Sequence, residues 1–221
     1  MRTVIHVEIW SDVVCPWCYI GKRRFERAVE AVAADIEVRA VYRPFQLDPD
    51  APTGMATPVS EAYAKKFGGH DRAAQIIDHV TNVAAGDGLG FRLDRAIRSN
   101  TFDAHRLLWI AEASGRQAHV KENLLRAYFV EGLDIGDHEV LARCAAESGL
   151  DHEAVAGFLH SDDGTAEVRA LLASATEQGI TAVPTYVIGV DGSGQQWALP
   201  GAQDSDVFER AFRRMGARSD A

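Results

Sequence analysis

The spacing of apolar residues changes twice within the first fifty positions. Residues 4–10 (VIHVEIW) are rich in β-branched and aromatic side chains and partly alternate with polar ones, which predicts a β-strand. Residues 36–42 (IEVRAVY) alternate cleanly and predict a second strand, followed by two prolines that leave the sheet. Between them, apolar residues recur with the period of an amphipathic helix, which leaves Lys22 and three arginines largely on its exposed side. This order predicts one β-α-β unit.

Helical spacing dominates the long middle of the chain, from about Thr57 to Gln178. Glycines and helix-capping residues divide this stretch into six or seven predicted helices. Strand patterns lie on either side of it, so the two ends of the chain must form one sheet. We therefore predict an α/β fold with a discontinuous sheet domain at residues 1–50 and 180–221, and an inserted helical domain at residues 51–179.

Three elements are predicted after the helical block. Residues 185–190 and 196–199 are typical of strands, and the glycine-containing turn at 191–194 between them predicts a hairpin. A final amphipathic helix is predicted at 204–215, followed by a loose tail from Gly216 onwards.

Composition and charge narrow the classes of function. The 221 residues are 47% hydrophobic and 25% charged, as in ordinary globular proteins, and no apolar run reaches the roughly 18 residues of a membrane span. His6, Glu8 and Asp12 interrupt the start of the chain, which argues against a signal peptide, so we expect a cytoplasmic protein. A net charge of -9 argues against nucleic acid as the main partner. We expect neither nucleic-acid nor membrane binding.

The tetrapeptide Cys15-Pro16-Trp17-Cys18 follows the first predicted strand and begins the first helix. Disulfide exchange needs an accessible thiolate, and the unpaired N–H groups at a helix N-terminus stabilise that anion at Cys15. Cys18 lies one turn later on the same face, where it can attack the Cys15 sulfur and release a bound partner. Pro16 suits the first helical position because it has no N–H to lose, and Trp17 offers an apolar platform. We predict Cys15 as the nucleophile and Cys18 as the resolving thiol.

Two cysteines at this spacing are also typical of half a zinc site. A closed site needs two further ligands, and the remaining cysteine, Cys144, lies in an alanine-rich helix where a small core residue is expected. Three cysteines are too few for the disulfide framework of a secreted domain. We predict no metal and no tightly bound cofactor. Asp12, three residues before Cys15, is either a loop cap or a carboxylate that tunes the thiolate.

Val183-Pro184 immediately precedes the predicted hairpin. A proline that opens a strand is ordinary, but together with Cys15 and Cys18 on a β-α-β unit it resembles the cis-proline loop that faces the active disulfide in thioredoxin-fold proteins. Further characteristic residues are 11–19 (SDVVCPWCY), 44–49 (PFQLDP), Asn100, His105, 182–185 (AVPT) and 201–203 (GAQ). With these residues, the chain as far as about Phe212 resembles the FrnE-type branch of the DsbA family.

This resemblance implies a thioredoxin-like fold with a large all-helical insertion between the second strand and the cis-proline strand. It implies that substrates bind between the sheet domain and the helical lid, with Pro184 in the active site. The candidate substrate-binding residues are Pro16, Trp17, Val183, Phe45, Asn100, His105 and Gln203. Two of them have a structural alternative: His105 as a lone histidine on a half-apolar helix, and Gln203 as part of an ordinary helix start beside a strand end.

The same resemblance bears on function. The FrnE-type branch is related to kappa-class glutathione transferases and to 2-hydroxychromene-2-carboxylate isomerase, which are implied to use a serine where this chain has Cys15. The retained cysteine pair favours a thiol-disulfide oxidoreductase that reduces disulfides in the cytosol and is reset by a low-molecular-weight thiol or a reductase. Its partners would be disulfide-containing proteins or small-thiol substrates. The alternatives are a thiol-dependent transferase or isomerase acting on small aromatic compounds, and a chaperone-like binding protein.

Overall fold

The computed structural model of the chain describes residues 2–52, 57–190, 194 and 196–219. Within these ranges, no helix combines the length and the apolar character needed to cross a membrane. The predicted hairpin turn at residues 191–194 lies outside the described residues except for Gly194.

Four strands form one mixed sheet to which both ends of the chain contribute. β1 (Thr3–Ser11) pairs in parallel with β2 (Ile36–Pro44) and antiparallel with β5 (Thr185–Val190). β5 also pairs antiparallel with β6 (Gln196–Pro200), so the strand order is β2-β1-β5-β6. This pairing confirms the predicted single sheet and the predicted hairpin.

Two helices cover one face of the sheet, α1 (Pro16–Val32) and α9 (Ser205–Ser219). Alternate residues of β1 point into this layer, because side chains along a strand change face at every residue. The layer has a continuous hydrophobic core that includes Ile5, Val7, Ile9, Phe25, Ala28, Val32, Ile188, Phe208 and Phe212.

Two expectations about this layer are wrong. Residues 216–219 are not a loose tail, because α9 continues to Ser219 and Gly216 is buried against Ile36. Lys22 is not on an exposed side of α1, since only 4% of it is exposed. Its amine lies 2.6 Å from a carboxylate oxygen of Glu122, a hundred residues away in the chain.

The region between β2 and β5 contains seven α-helices among its described residues, the upper end of the prediction. They are α2 (Val59–Phe67), α3 (His70–Gly86), α4 (Phe102–Ala113), α5 (Gln117–Arg126), α6 (His138–Glu147), α7 (His152–Leu159) and α8 (Thr165–Glu177). A π-helical turn at Ala127–Glu131 and a short antiparallel pair, β3 (Thr57–Pro58) with β4 (Ile97–Arg98), were not predicted. The helical insertion therefore lies where the sequence pattern places it.

The helical core and the sheet are joined by residues on both sides. Val13, Tyr19 and Ile20, from the start of α1 and the loop before it, are buried in the hydrophobic core of the helical insertion. In the opposite direction, Ala175 of α8 packs with Trp10 on the sheet. The first turns of α1 thus contact both parts of the molecule. The domain boundaries at residues 51 and 179 stay a prediction.

Polar contacts attach α5 to the open edge of the sheet. Gln117 of α5 accepts a hydrogen bond from the backbone N–H of Tyr42 (2.8 Å) and donates one to its carbonyl oxygen (3.0 Å). Tyr42 belongs to β2, which is an edge strand. The unpaired backbone groups of an uncovered edge can pair with other chains. The Gln117 side chain makes the two hydrogen bonds at Tyr42 that a neighbouring strand would otherwise make.

Gly21 allows α1 to approach the segment that leads into β5. A Cβ atom at this position would lie 2.6 Å from the hydroxyl oxygen of Tyr186 and 3.3 Å from Pro184 Cγ. Both neighbours belong to the region that faces the Cys15-Pro16-Trp17-Cys18 segment. Only glycine permits this distance between the helix and the strand.

We expect Gly21→Ala to lower the free energy of unfolding by about 1–3 kcal/mol, because the added methyl group forces Tyr186 or the helix to move. Urea denaturation followed by circular dichroism measures the change. The matched control is Gly157→Ala in α7, where a Cβ atom would meet nothing within 4 Å. That variant should be stabilised by up to about 1 kcal/mol. Equal effects at the two positions would contradict the prediction.

Candidate active site

Cys15 is the N-cap residue of α1, and the helix begins at Pro16 as predicted. The Cys15 backbone is extended (φ -86°, ψ 114°) and its carbonyl oxygen accepts a hydrogen bond from the N–H of Cys18 at 3.0 Å. The side chain therefore stands at the end of the helix where backbone N–H groups lack helical partners. The structure places the pair as the spacing predicts.

The two thiols have different surroundings. Both cysteines are reduced and each is 3% exposed. Cys15 lines a cleft, whereas Cys18 lies behind it. Burial, and then the hydrogen bond with Cys15, raise the pKa of the Cys18 thiol well above its ordinary value. Cys18 is thus held as a protonated thiol that hydrogen-bonds with the sulfur facing the cleft.

Val183 and Pro184 lie opposite the first cysteine. The Cys15 Sγ is 3.6 Å from the carbonyl oxygen of Val183, and the Val183–Pro184 peptide bond is cis, as expected. The carbonyl oxygen of Pro184 accepts a hydrogen bond of 2.7 Å from the N–H of Gly201, which anchors this segment to the end of β6. The segment forms one side of the entrance to the sulfur.

A cleft of about 960 Å³ opens beside Cys15. One wall comes from Pro16, Trp17 and Val183, and the other from α2 and α3 of the helical insertion. Among the described residues, the two exposed large hydrophobic side chains, Leu47 (40%) and Phe67 (38%), both line this cleft. Exposed apolar surface concentrated at one place is typical of a binding site.

Polar groups lie among the apolar walls of the cleft. Burial, followed by the influence of Cys15, raises the pKa of Tyr63 to about 12, so its hydroxyl group stays a donor at neutral pH. Arg98 is neutralised by Asp48 at 2.6 Å. Lys65 and Lys66 line the cleft without a carboxylate partner among the described residues. The walls therefore combine apolar area with a few hydrogen-bond donors and cations.

Four predicted substrate-binding residues lie outside the cleft lining. Phe45 packs with Trp10 on the sheet. Asn100 donates to the carbonyl oxygen of Ala51 (2.9 Å) and accepts from Phe102 N–H (2.9 Å), so it connects two loops. Gln203 donates to the carbonyl oxygen of Pro200 at 2.6 Å. Their substrate contacts, and those of His105, stay predictions.

His105 has a buried partner, Asp12. Its Nε2 atom lies 3.2 Å from Asp12 Oδ1 and 3.0 Å from the carbonyl oxygen of Phe45. The Asp12 carboxylate also accepts hydrogen bonds of 2.8 Å from the N–H groups of Val13 and Leu47. With Asp12 fully buried, this network fixes the loop that carries Cys15. These contacts support the structural alternative for both residues.

Sequence analysis missed Tyr63, Tyr128 and Lys121. Tyr63 and Tyr128 line the cleft from distant segments, and no motif marks them. Lys121 is buried on the face of α5 that also carries Gln117, Leu124 and Leu125. The spacing of Lys121 to Leu124 and Leu125 places the lysine on the apolar face of the helix, and this pattern could have predicted its burial.

Cys144 belongs to the hydrophobic core of the helical insertion. It is 2% exposed, and burial raises its pKa to about 11. Throughout the part of the chain that the structure describes, no group of three or more His, Cys, Asp or Glu side chains could hold a metal ion. The absence of metal and of tightly bound cofactors stays a prediction.

A cysteine pair at the start of α1, opposite a Val–Pro segment and on a sheet interrupted by a helical insertion, defines a thioredoxin-like protein. The family model described as a DSBA-like thioredoxin domain matches residues 6–213, so this chain belongs to that family. The predicted fold class is confirmed. Membership of the FrnE-type branch stays a prediction, because these comparisons do not distinguish it.

Two related proteins and one more distant structure resemble the chain over most of its length. The crystal structure of the probable DsbA oxidoreductase of Streptomyces coelicolor has 35% sequence identity and a TM-score of 0.87, covering 96% of this chain and 90% of that one. The uncharacterized protein YwbO of Bacillus subtilis (strain 168) is 29% identical over 94% of this chain and 96% of its own. The cytosolic disulfide reductase DsbM of Pseudomonas aeruginosa, also solved with GSH, shares the fold at 21% identity and a TM-score of 0.65, covering 97% of this chain and 99% of that one.

We expect iodoacetamide to modify Cys15 first and to leave Cys144 unmodified in the native protein at neutral pH, because Cys144 is buried and almost entirely protonated. Mass spectrometry of peptides from briefly treated protein measures the order. Protein unfolded in urea before treatment is the control, and all three cysteines should react there. Modification of native Cys144 as fast as Cys15 would contradict this assignment.

Proposed function

We propose that the protein is a thiol-disulfide oxidoreductase in which Cys15 is the nucleophile and Cys18 the resolving thiol. The observation that carries the proposal is the arrangement of two free thiols, one at a helix N-terminus in a cleft and one hydrogen-bonded behind it. Membership of the DSBA-like family supports the same chemistry.

The reaction transfers two electrons to the substrate. The Cys15 thiolate attacks one sulfur of a substrate disulfide, so that a bond between Cys15 and that sulfur forms and the other sulfur leaves as a thiolate that takes up a proton. Cys18 then loses its proton and attacks the Cys15 sulfur. The substrate leaves as a second thiol, and a Cys15–Cys18 disulfide remains. Two molecules of a low-molecular-weight thiol would reduce this disulfide and become oxidised to their own disulfide.

The different surroundings of the thiols support this order of attack. Cys15 faces the cleft and reacts with whatever binds there. Cys18 is protonated and shielded until Cys15 carries a substrate, so it does not compete for the first attack. A buried thiol in this position frees the substrate rather than capturing it.

Reduction is the direction we propose, in a cytoplasmic setting. A chain with three cysteines and no stabilising disulfide framework suits a reducing compartment, where a glutathione-type pool keeps the pair reduced. The resemblance in fold to a cytosolic disulfide reductase is compatible with this proposal.

The cleft supports substrates that combine a disulfide with apolar surface, such as an exposed segment of a protein or the mixed disulfide of a small thiol. Trp17, Leu47 and Phe67 would contact the apolar part, and the Val183 backbone would lie beside the disulfide. A peptide that binds along the Val183 backbone would lie next to the Cys15 sulfur, on the side where the Val183 carbonyl oxygen lies.

We expect Cys15→Ser to abolish reduction of a disulfide-linked test protein, and Cys18→Ser to retain substrates as mixed disulfides on Cys15. Non-reducing electrophoresis and mass spectrometry of adducts formed in cell extract measure both outcomes. Cys144→Ser is the matched control and should keep wild-type activity, because this thiol is buried away from the cleft. Full reductase activity in Cys15→Ser would refute the mechanism.

The same variants separate the alternatives. A transferase or isomerase reaction on small aromatic substrates would survive the loss of Cys18. A chaperone-like protein would bind unfolded clients equally well with both cysteines replaced. A zinc measurement on the purified protein tests the metal alternative.

We expect Phe67→Ala to raise KM for a peptide disulfide about fivefold, since the lost apolar contact is worth roughly 1 kcal/mol. The value of kcat should stay unchanged, because Phe67 lies at the rim rather than beside the sulfurs. Steady-state kinetics with peptide substrates measure the two constants. Leu171→Ala, in a groove that does not include Cys15, is the control and should leave KM unchanged. An unchanged KM in Phe67→Ala would exclude the cleft rim from substrate binding.

A further inference from the structure

Lys121 of α5 is a buried cation without a hydrogen-bond partner. Only 1% of the residue is exposed, and its amine has no partner among the described residues. The amine lies over the ring of Tyr42, 5.5 Å from the ring centroid. A lysine side chain in this state is unusual, because taking an ammonium group out of water is costly unless a charge compensates for it.

The comparison with Lys22 shows how a buried lysine is ordinarily accommodated. Lys22 is 4% exposed, and its amine lies 2.5 Å from Glu26 and 2.6 Å from Glu122. Lys121 has no such carboxylate in contact. Ion pairing with carboxylates explains the burial of Lys22 but does not explain the burial of Lys121.

The groups that act on Lys121 belong to the redox site. Burial lowers its pKa to about 8, while Cys18, Asp12 and Cys15 act in the opposite direction and Lys22 repels it. The strongest of the attractive groups is Cys18. Lys121 in turn lowers the pKa of Cys18 against the effect of burial. Electrostatics and contacts thus agree, since the thiols attract Lys121 and the next residue of α5, Glu122, contacts Lys22 of α1 one turn after Cys18.

We propose that Lys121 is a positioning residue for the second half of the reaction, whose ammonium group stabilises the Cys18 thiolate as it attacks the Cys15 mixed disulfide. This inference rests on the proposed oxidoreductase function. The Cys18 proton passes to the thiolate released in the first half-reaction or to solvent, a bond forms between the Cys18 and Cys15 sulfurs, and the substrate sulfur leaves with the bonding pair. Lys121 keeps its proton throughout and forms no covalent bond.

Other groups facing Cys18 do not supply a positive charge. Tyr42 and Tyr186 remain neutral, because burial raises the pKa of both phenols. Asp12 acts on Cys18 through a backbone hydrogen bond, which favours the thiolate without adding a cation. His105 contacts Asp12 rather than the thiols. Among the largest influences on the Cys18 thiol, Lys121 is therefore the one cation, and it comes from the helical insertion.

The test compares Lys121→Met, Lys121→Arg and the surface control Arg126→Met, which removes a cation from the same helix. Each intact reduced protein is mixed with a large excess of oxidised glutathione over a range of pH, and the rate at which the mixed disulfide on Cys15 converts to the Cys15–Cys18 disulfide is measured by acid trapping and mass spectrometry. Urea denaturation of each variant is measured in parallel. Because the cation stabilises the Cys18 thiolate that carries out this step, Lys121→Met should slow the conversion.

We expect Lys121→Met to slow this conversion about tenfold relative to the wild type at neutral pH, because the Cys18 thiolate loses its compensating charge. The difference should shrink as the pH rises through about 8, where the wild-type amine loses its proton. Lys121→Arg should keep the wild-type rate and extend it to higher pH, since guanidinium stays charged. Lys121→Met should unfold at no lower urea concentration than the wild type, because it removes an unpaired buried charge.

A wild-type rate in Lys121→Met, or a difference that does not change with pH, would overturn the proposal and leave Lys121 with a structural role. Arg126→Met should match the wild type, and a slowing as large as that of Lys121→Met would equally count against the proposal. Failure of the wild-type protein to form a Cys15–Cys18 disulfide in glutathione would instead refute the proposed function.

Discussion

The site depends on the packing of the first turns of α1 against the segment that leads into β5. Cys15 and Val183 are 168 residues apart in the chain, yet the sulfur lies 3.6 Å from the Val183 carbonyl oxygen. Gly21 lets the helix come this close, and the sheet fixes the direction of both segments. The thiols are therefore positioned only when both ends of the chain have formed one sheet, which makes the redox chemistry a property of the complete fold.

The helical insertion forms part of this arrangement as well as a wall of the cleft. Tyr19 of α1 is buried in its core, Gln117 completes the edge of β2, and Glu122 binds Lys22 one turn after Cys18. Two residues of α5 therefore support the site, Gln117 through the sheet and Glu122 through the helix that carries the thiols. An insertion attached only as a mobile lid would not need these buried polar contacts.

Local patterns were sufficient for the elements and for the reactive pair. Alternation and helical spacing predicted β1, α1 and β5. The reactive roles of Cys15 and Cys18 could be predicted because thiolate chemistry requires only the N-terminus of one helix. Contacts between distant residues were not predictable. Lys22 was expected on the surface because its partner, Glu122, lies a hundred residues later. Tyr63 reaches the cleft through the packing of α2, for which no short-range signal exists.

Burial of the thiols creates two opposing requirements. A shielded Cys18 keeps its proton and does not react early, but the same shielding opposes the thiolate needed for the second attack. A charge that is itself partly desolvated acts strongly over a few ångströms, because little water screens it. Lys121 is buried, so little water screens its charge. The charge of an exposed lysine such as Lys65 is screened by solvent. In the proposed mechanism, the buried amine therefore reconciles protection of Cys18 with its reactivity, at the expense of some folding stability.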